Sequence, residues 1–544
     1  MASSFHVENF GCRAARADGE AVSSQLRVAG HCVEQATQAD VVIVNTCSVT
    51  AEADRAARAF IRRAHRLNPE ARIVVTGCYA QRAPEELAGL NGVAAVVGNS
   101  HKALAPKIVL ELLGSKALDE GRGLIQIQAA TNLDRATSEP LASPQVIWAD
   151  DRFAHSFLEE AQVLPGAQTR PNLKIQEGCG NRCTFCVIPS TRGPSKSLPG
   201  AVVLRQVEGF VAAGGKELVF SGINLGRWGR DFPSSSRKET ARSGGIQGFF
   251  AKDEGRFRIS APGGAADYSG PGQASDFFQP GETADSAPRT LAALVRAIFE
   301  RTELERLRLS SIEPMDWDAE LIDLMARFGN PETGAARLAR HAHLPLQSGS
   351  DAVLRRMHRR YRPWHYVEKV EALGRAAGPE LTLGADVMVG FPGETDAEFE
   401  ETLALVRLLP FGYLHLFPFS PRPATPGWAL HAEHPVPAGA VEERMKALRA
   451  LAAEKSRAHR RCFVGRELEA ITLHTPAEME VRGRTAALTE NFLPVEIDAP
   501  LDANRLVRLR VRGLNAEGTL EAEEAGPEPA PRGAAISARP RASN

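Results

Sequence analysis

Apolar and polar positions follow two rhythms along this chain. In the first, the runs FHVENFG (5–11), ADVVIVN (39–45) and ARIVVTG (71–77) read as strands. Between the last two lies TAEADRAARAFIRRAHRLNP. It places Ala53, Ala57, Phe60, Ala64 and Leu67 on one helical face, with Thr50 as cap and Pro69 past the end. Strand, helix, strand predicts a parallel sheet, and residues 1–115 read as a Rossmann-like α/β domain.

After a segment at 116–168 that reads as a linker, a second α/β rhythm begins. LKIQE (173–177), KELVFSG (216–222), RLRLSSI (306–312), HAHLPLQ (341–347), LTLGADVMVG (381–390) and YLHLFPF (413–419) are its strands. TLAALVRAIFERTE (290–303) and DAEFEETLALVRLL (396–409) are two of its helices. Six such units over 169–440 predict a partial (βα)6 barrel, smaller than the eightfold one, with its site at the strand carboxyl ends. In GFPGET (390–395), Pro392 and Gly393 predict a turn and Thr395 a helix cap. Residues 232–289 break the rhythm, rich in Gly, Ser and Pro, and read as an insertion. A third unit spans 441–525. It opens with the basic helix MKALRALAAEKSRAHRR (445–461). In LVRLRVRG (506–513), Val507, Leu509 and Val511 alternate with Arg508, Arg510 and Arg512: a half-buried strand with a basic outer face. Basic helix and basic strand make RNA a candidate partner, against the alternative of a merely solvated face. Residues 526–544 read as a disordered tail.

Composition narrows this little. Of 544 residues, 43% are hydrophobic and the net charge is −1, so any basic surface is local. No apolar stretch approaches the roughly 20 residues that span a bilayer. The first residues show no secretory signal pattern, so the expectation is a cytoplasmic protein with no membrane contact. Disulfides are not expected in that compartment. Cys32 and Cys462 have no partner pattern and are expected to be structural.

The other six cysteines form two groups. Cys12, Cys47 and Cys78 each follow a predicted strand of the first sheet. A lone cysteine there reads as a small buried hydrophobe. Three at equivalent strand ends, all on the sheet edge where ligands bind, read as ligands. Cys179, Cys183 and Cys186 form C-x3-C-x2-C just after the first strand of the partial barrel. Four thiolates close an iron–sulfur cluster, whereas three leave one iron open to a further ligand. A cluster-stabilised RNA-binding protein is the non-enzymatic alternative. It needs a fourth ligand, and no fourth cysteine lies close by in sequence.

QEGCGNRCTFCVIPSTRG (176–193) resembles the signature of the radical S-adenosylmethionine superfamily. GCR (11–13), NTCSVT (45–50), TGCYAQ (76–81), HLPLQSGSDAVLRRM (343–357) and GADVMVGFPGET (384–395) narrow the resemblance to its methylthiotransferase family. The resemblance implies an N-terminal methylthiotransferase domain, a radical barrel and a C-terminal barrel similar to the RNA-binding TRAM domain. It implies one 4Fe–4S cluster on Cys179, Cys183 and Cys186, where S-adenosylmethionine is cleaved to a 5′-deoxyadenosyl radical. A second 4Fe–4S cluster, on Cys12, Cys47 and Cys78, would deliver sulfur. Gly222, Asn224, Ser310, Glu313 and Gln347 are implied contacts of S-adenosylmethionine, Phe185 a contact of its adenine unless it is a core aromatic, and Arg192 a contact of phosphate or carboxylate unless it is a surface residue. His341, His343 and His415 read instead as packed or hydrogen-bonded histidines. Family members thiolate adenosines beside the tRNA anticodon or an aspartate of a ribosomal protein. LSSIEP (309–314) and YLHLFPFSPRPAT (413–425) resemble the branch acting on N6-threonylcarbamoyladenosine rather than the isopentenyladenosine branch. Implied partners are a tRNA anticodon stem-loop, a sulfur source and an electron donor such as flavodoxin or ferredoxin. The chain departs from the family after GCR: the family has Asn and a nearby Glu where this chain reads AARADGE, so Glu20 or no residue takes that role.

Overall fold

The computed structural model describes residues 3–114, 146–153, 157, 169–232, 287–329 and 336–525. Most of the insertion read at 232–289, most of the linker and the C-terminal tail therefore lie outside the described residues.

The first domain is a six-stranded parallel sheet. Its strands are β1 (Ser4–Asn9), β2 (Cys32–Val33), β3 (Val41–Thr46), β4 (Arg72–Gly77), β5 (Val93–Gly98) and β6 (Val146–Trp148), in spatial order β2-β1-β3-β4-β5-β6. Every residue of β3 is buried, as expected of a parallel strand covered on both faces. Alternation sends Val42 and Val44 toward Ala57 and Ile61 of the helix Ala51–Leu67. Val41 and Ile43 point the other way, toward Val22 and Leu26 of the helix Arg13–Val28. Strand β6 lies inside the stretch read as linker and pairs with β5.

Thr50 caps the helix Ala51–Leu67 as read, accepting from the Ala53 backbone N–H at 3.2 Å. The buried face is turned from the expected one: Asp54, Ala57, Ile61 and Ala64 are buried, while Leu67 is exposed. The cause is Asp54, which turns inward to meet Arg82 at 2.8 Å and Arg422 at 2.7 Å. Apolar spacing alone assigns no weight to an inward carboxylate.

The second domain is an open barrel. Its strands are β7 (Asn172–Glu177), β8 (Lys196–Ser197), β9 (Glu217–Gly222), β10 (Arg306–Leu309), β11 (His341–His343), β12 (Thr382–Val389) and β13 (Phe411–Pro418). Apart from the short antiparallel β8, the paired strands run parallel. The seam between β10 and β11 is closed by a bridge from Leu307 to Leu338 and by Ile312 N–H donating to the His343 carbonyl. The helix Asp396–Leu408 is opened by a capping box of Thr395 and Glu398.

The third domain is a closed barrel of β14 (Glu467–Thr472), β15 (Thr485–Thr489), β16 (Pro494–Ile497), β17 (Leu506–Leu514) and β18 (Leu520–Glu524). Val507, Leu509 and Val511 face its core as read. The basic outer face is not free. Arg508 and Arg510 both pair with Glu467 at 2.8 Å, and Arg512 pairs with Glu523. This strand therefore contributes little net charge to an RNA surface. The β15–β16 turn seats the third domain on the second. Buried Arg308 donates to the carbonyls of Thr489 and Glu490, and Arg340 pairs with Glu490.

Candidate active site between two cysteine triads

The loop after β7 carries the first triad. Gly178 has φ +68°, and a Cβ there would sit 2.0 Å from the Pro194 carbonyl oxygen, so only glycine fits. Cys179 N–H donates to the Gly193 carbonyl, and Thr184 N–H to that of Met357. The loop is thus fixed from both sides. Cys179, Cys183 and Cys186 line a cavity of about 180 Å³ together with Phe185, Asn224, Glu313 and Gln347. Sulfur accepts three N–H contacts here: Asn181 N at 3.4 Å and Asn224 Nδ2 at 3.6 Å reach Cys179, and Arg359 Nη1 at 3.3 Å reaches Cys183. Glu313 holds Arg359 and Arg360, each at 3.2 Å. The Gln347 and Asn224 side-chain oxygens are buried without a partner. Gln347 also has φ +64°. Strain plus an orphaned acceptor in a cavity marks a place for a ligand donor group.

Two of the expected contact residues stand back from this cavity. Gly222 ends β9 against Gln176, and Ile223 lines the cavity in its place. Ser310 is buried with its hydroxyl unpartnered, while Ser311 lines the cavity and bonds His343 Nδ1 at 2.7 Å. The chain leaves the strand at Leu309, and side-chain alternation past that point shifts by one residue. His341 bonds the Tyr413 hydroxyl at 2.7 Å, as a packed histidine should, but His415 is exposed beside Asp386.

The second triad sits at the carboxyl edge of the first sheet. Cys12 follows β1 and Cys47 follows β3, the two strands between which the strand order reverses. Gly11 has φ +103°, and a Cβ on it would lie 2.5 Å from the Cys47 Cβ, so the two turns touch. Cys78 follows β4, and its sulfur accepts from Arg192 Nε at 3.2 Å and Asn99 Nδ2 at 3.4 Å. Burial pushes the Cys47 thiol up to about 12, and Cys78 and Cys12 push it the same way. Burial also raises Cys186 to about 12. Such thiols become thiolates only beside a strong cationic centre. Cys32 and Cys462, expected to be structural, are both exposed.

The thiol spacing bears on what that centre is. Among the described residues, one trio of donor residues has ligand atoms within 4.8 Å of one another, and it is His343, Asp386 and His415. Neither cysteine triad forms so compact a set. Sets of three thiols whose sulfurs accept N–H donors fit an iron–sulfur cluster.

Arg192 reaches the second triad from the loop that carries the first. It ends the short helix Ile188–Arg192 that follows Cys186, and it is buried, which removes the surface reading. Besides Cys78, it pairs with Asp18 at 3.1 Å and Glu177 at 2.9 Å. Lys102 and Lys174 meet the same two carboxylates. Burial opposes charge on Glu177, but Lys102, Lys174 and Arg192 outweigh it and hold its carboxyl well below the ordinary range. Sequence reasoning missed Asp18, Lys102, Lys174, Arg359 and Ser311. Lys174 lies three residues from its partner Glu177 on β7, but the fold alone joins the others to theirs.

Comparisons with known proteins give a consistent picture. Residues 4–98 match the family described as Uncharacterized protein family UPF0004, and residues 271–406 match the Radical SAM superfamily. The threonylcarbamoyladenosine tRNA methylthiotransferase MtaB of Bacillus subtilis is 31% identical, over 93% of this chain and 93% of the relative. Its namesake in Thermotoga maritima is 30% identical, over 94% and 95%. A tRNA-2-methylthio-N(6)-dimethylallyladenosine synthase of Cereibacter sphaeroides is 30% identical, over 85% of each chain.

Proposed function

This chain belongs to the radical S-adenosylmethionine methylthiotransferase family, and on that premise we propose that it adds a methylthio group to carbon 2 of N6-threonylcarbamoyladenosine beside a tRNA anticodon. The observation that carries the reading is that Arg192, on the loop carrying the first cysteine triad, reaches across to the Cys78 sulfur of the second. Cys179, Cys183 and Cys186 hold one 4Fe–4S cluster, and Cys12, Cys47 and Cys78 the other. With S-adenosylmethionine bound, these groups supply one-electron chemistry, sulfur and a methyl group, one S-adenosylmethionine serving as radical source and a second as methyl donor.

The protein's own residues bind, orient and exclude water. Asn224, Glu313 and Gln347 offer polar groups to S-adenosylmethionine, and Phe185 offers an apolar wall. Gly222 and Ser310 support these from behind. Ser311, His343 and Asp386 continue the polar lining toward Tyr413 and His415. The target base must leave its stack to reach this depth, which an anticodon loop permits. The hydroxyl of Ser311 and the imidazole of His343 suit the threonylcarbamoyl substituent, which carries a carboxylate and a hydroxyl. The second reading, thiolation of isopentenyladenosine, keeps support from the Cereibacter relative but places an apolar group against these side chains. Flavodoxin or ferredoxin as electron donor, a separate sulfur source and a cytoplasmic setting complete the proposal. Among the described residues no helix is long and apolar enough to cross a membrane.

Mass spectrometry of tRNA nucleosides tests it, comparing a parent strain with one lacking this gene. We expect loss of the methylthio form of threonylcarbamoyladenosine and accumulation of its unthiolated precursor. Loss of the isopentenyladenosine derivative instead would move the substrate to the second reading.

A further inference from the structure

A cavity of about 540 Å³ lies where the three domains meet, lined by Arg13, Arg16, Arg170, His474 and Phe492 among others. Arg13 directly follows Cys12 and is the first residue of the helix Arg13–Val28. Its guanidinium lies 5.2 Å from the Phe492 ring centroid and, among the described residues, pairs with no carboxylate. Arg170 has an enclosed Nε without a hydrogen-bond partner. Its nearest carboxylate, Glu217 at 3.8 Å, already serves Arg308 at 3.0 Å and Arg306 at 3.7 Å. Arg16 is exposed and paired with Glu20.

Phe492 forms one wall of this cavity. It has φ +71°, a conformation a bulky residue rarely adopts. Arg308 and Arg340 hold its turn there by grasping residues 489 and 490. Its ring meets His341 at 4.3 Å and Tyr413 at 5.6 Å between centroids. Partly buried guanidinium groups in excess over carboxylates, in a cavity with a strained aromatic wall, have the chemistry of an oxyanion site.

We infer that this junction binds an oxyanion of the substrate RNA through Arg13 and Arg170. The inference rests on the tRNA reading above. Two sources share the chemistry: the carboxylate of the N6 substituent, and a backbone phosphate beside the splayed base.

Binding of synthetic anticodon stem-loops separates them. Full-length, cluster-loaded wild type is compared with Arg13→Gln, Arg13→Lys and Arg170→Gln, using loops with threonylcarbamoyladenosine or plain adenosine. Iron content and thermal unfolding confirm that each variant is intact. A carboxylate site makes both Gln variants lose roughly ten- to hundredfold affinity for the modified loop only. A phosphate site makes both loops lose equally and flattens the salt dependence by about one phosphate contact. In either case Arg13→Lys recovers part of the loss. Intact variants that bind both loops like wild type overturn the inference. A wild type that binds neither loop overturns the tRNA reading itself.

Discussion

Gly11 shows how closely the second triad is packed. Its φ of +103° and its contact with Cys47 exclude a side chain twice over. We expect Gly11→Ala to lower iron content by about half, because one of two clusters loses its frame, and to destabilise the fold by roughly 1–3 kcal/mol. Iron and sulfide assay with thermal unfolding would check both; full iron content in the variant would remove Gly11 from the triad. Single residues were legible where chemistry clusters in sequence. The spacing of Cys179, Cys183 and Cys186 announces a three-thiolate loop, and strand ends gather Cys12, Cys47 and Cys78. Arg359, far down the chain, has no such neighbour, and nothing in its local sequence indicates that it reaches the Cys183 sulfur. Ser311 was missed by one position, because alternation cannot be counted past the end of a strand.

At the scale of elements, punctuation was the most reliable signal. Thr395 caps the helix Asp396–Leu408, as the sequence around Pro392 and Gly393 suggests, and the structure adds Glu398, which closes a capping box. Thr395→Ala should lower stability by about 1 kcal/mol, seen as a small drop in melting temperature with the cluster content unchanged. A drop several times larger would mean that the turn also positions the barrel rim. Six barrel strands were readable from apolar runs between helical stretches. Strand β6 was not, because only three residues pair and the sequence around them carries no regular period. Periodicity also placed the arginines of β17 correctly on the outer face but not their partners. Glu467 and Glu523 come from neighbouring strands that only barrel closure brings alongside.

Over the whole molecule, the buried cluster of Asp18, Lys102, Lys174, Glu177 and Arg192 ties the first domain to the second. Glu177 is held well below, and Asp18 below, the ordinary carboxyl range in the folded state. A depressed carboxyl stabilises the fold fully above its unfolded value, about 4, and loses that contribution as pH falls below it. Melting temperature should therefore fall steeply as pH drops from about 5 to 3. Glu177→Gln should lose on the order of 3 kcal/mol at neutral pH and show a shallower acid dependence. Equal acid slopes for variant and wild type would show that other carboxylates govern acid unfolding.

The turn at residues 489–492 has a consequence for how this chain can be divided. Its carbonyls and Glu490 are what Arg308 and Arg340 hold at the amino end of the open barrel. The C-terminal barrel is thus a stopper as well as a separate domain. A chain cut after residue 440 would leave two cations at an unplugged barrel mouth, with water admitted from below. Grafting that barrel between relatives would require carrying the turn and both arginines together.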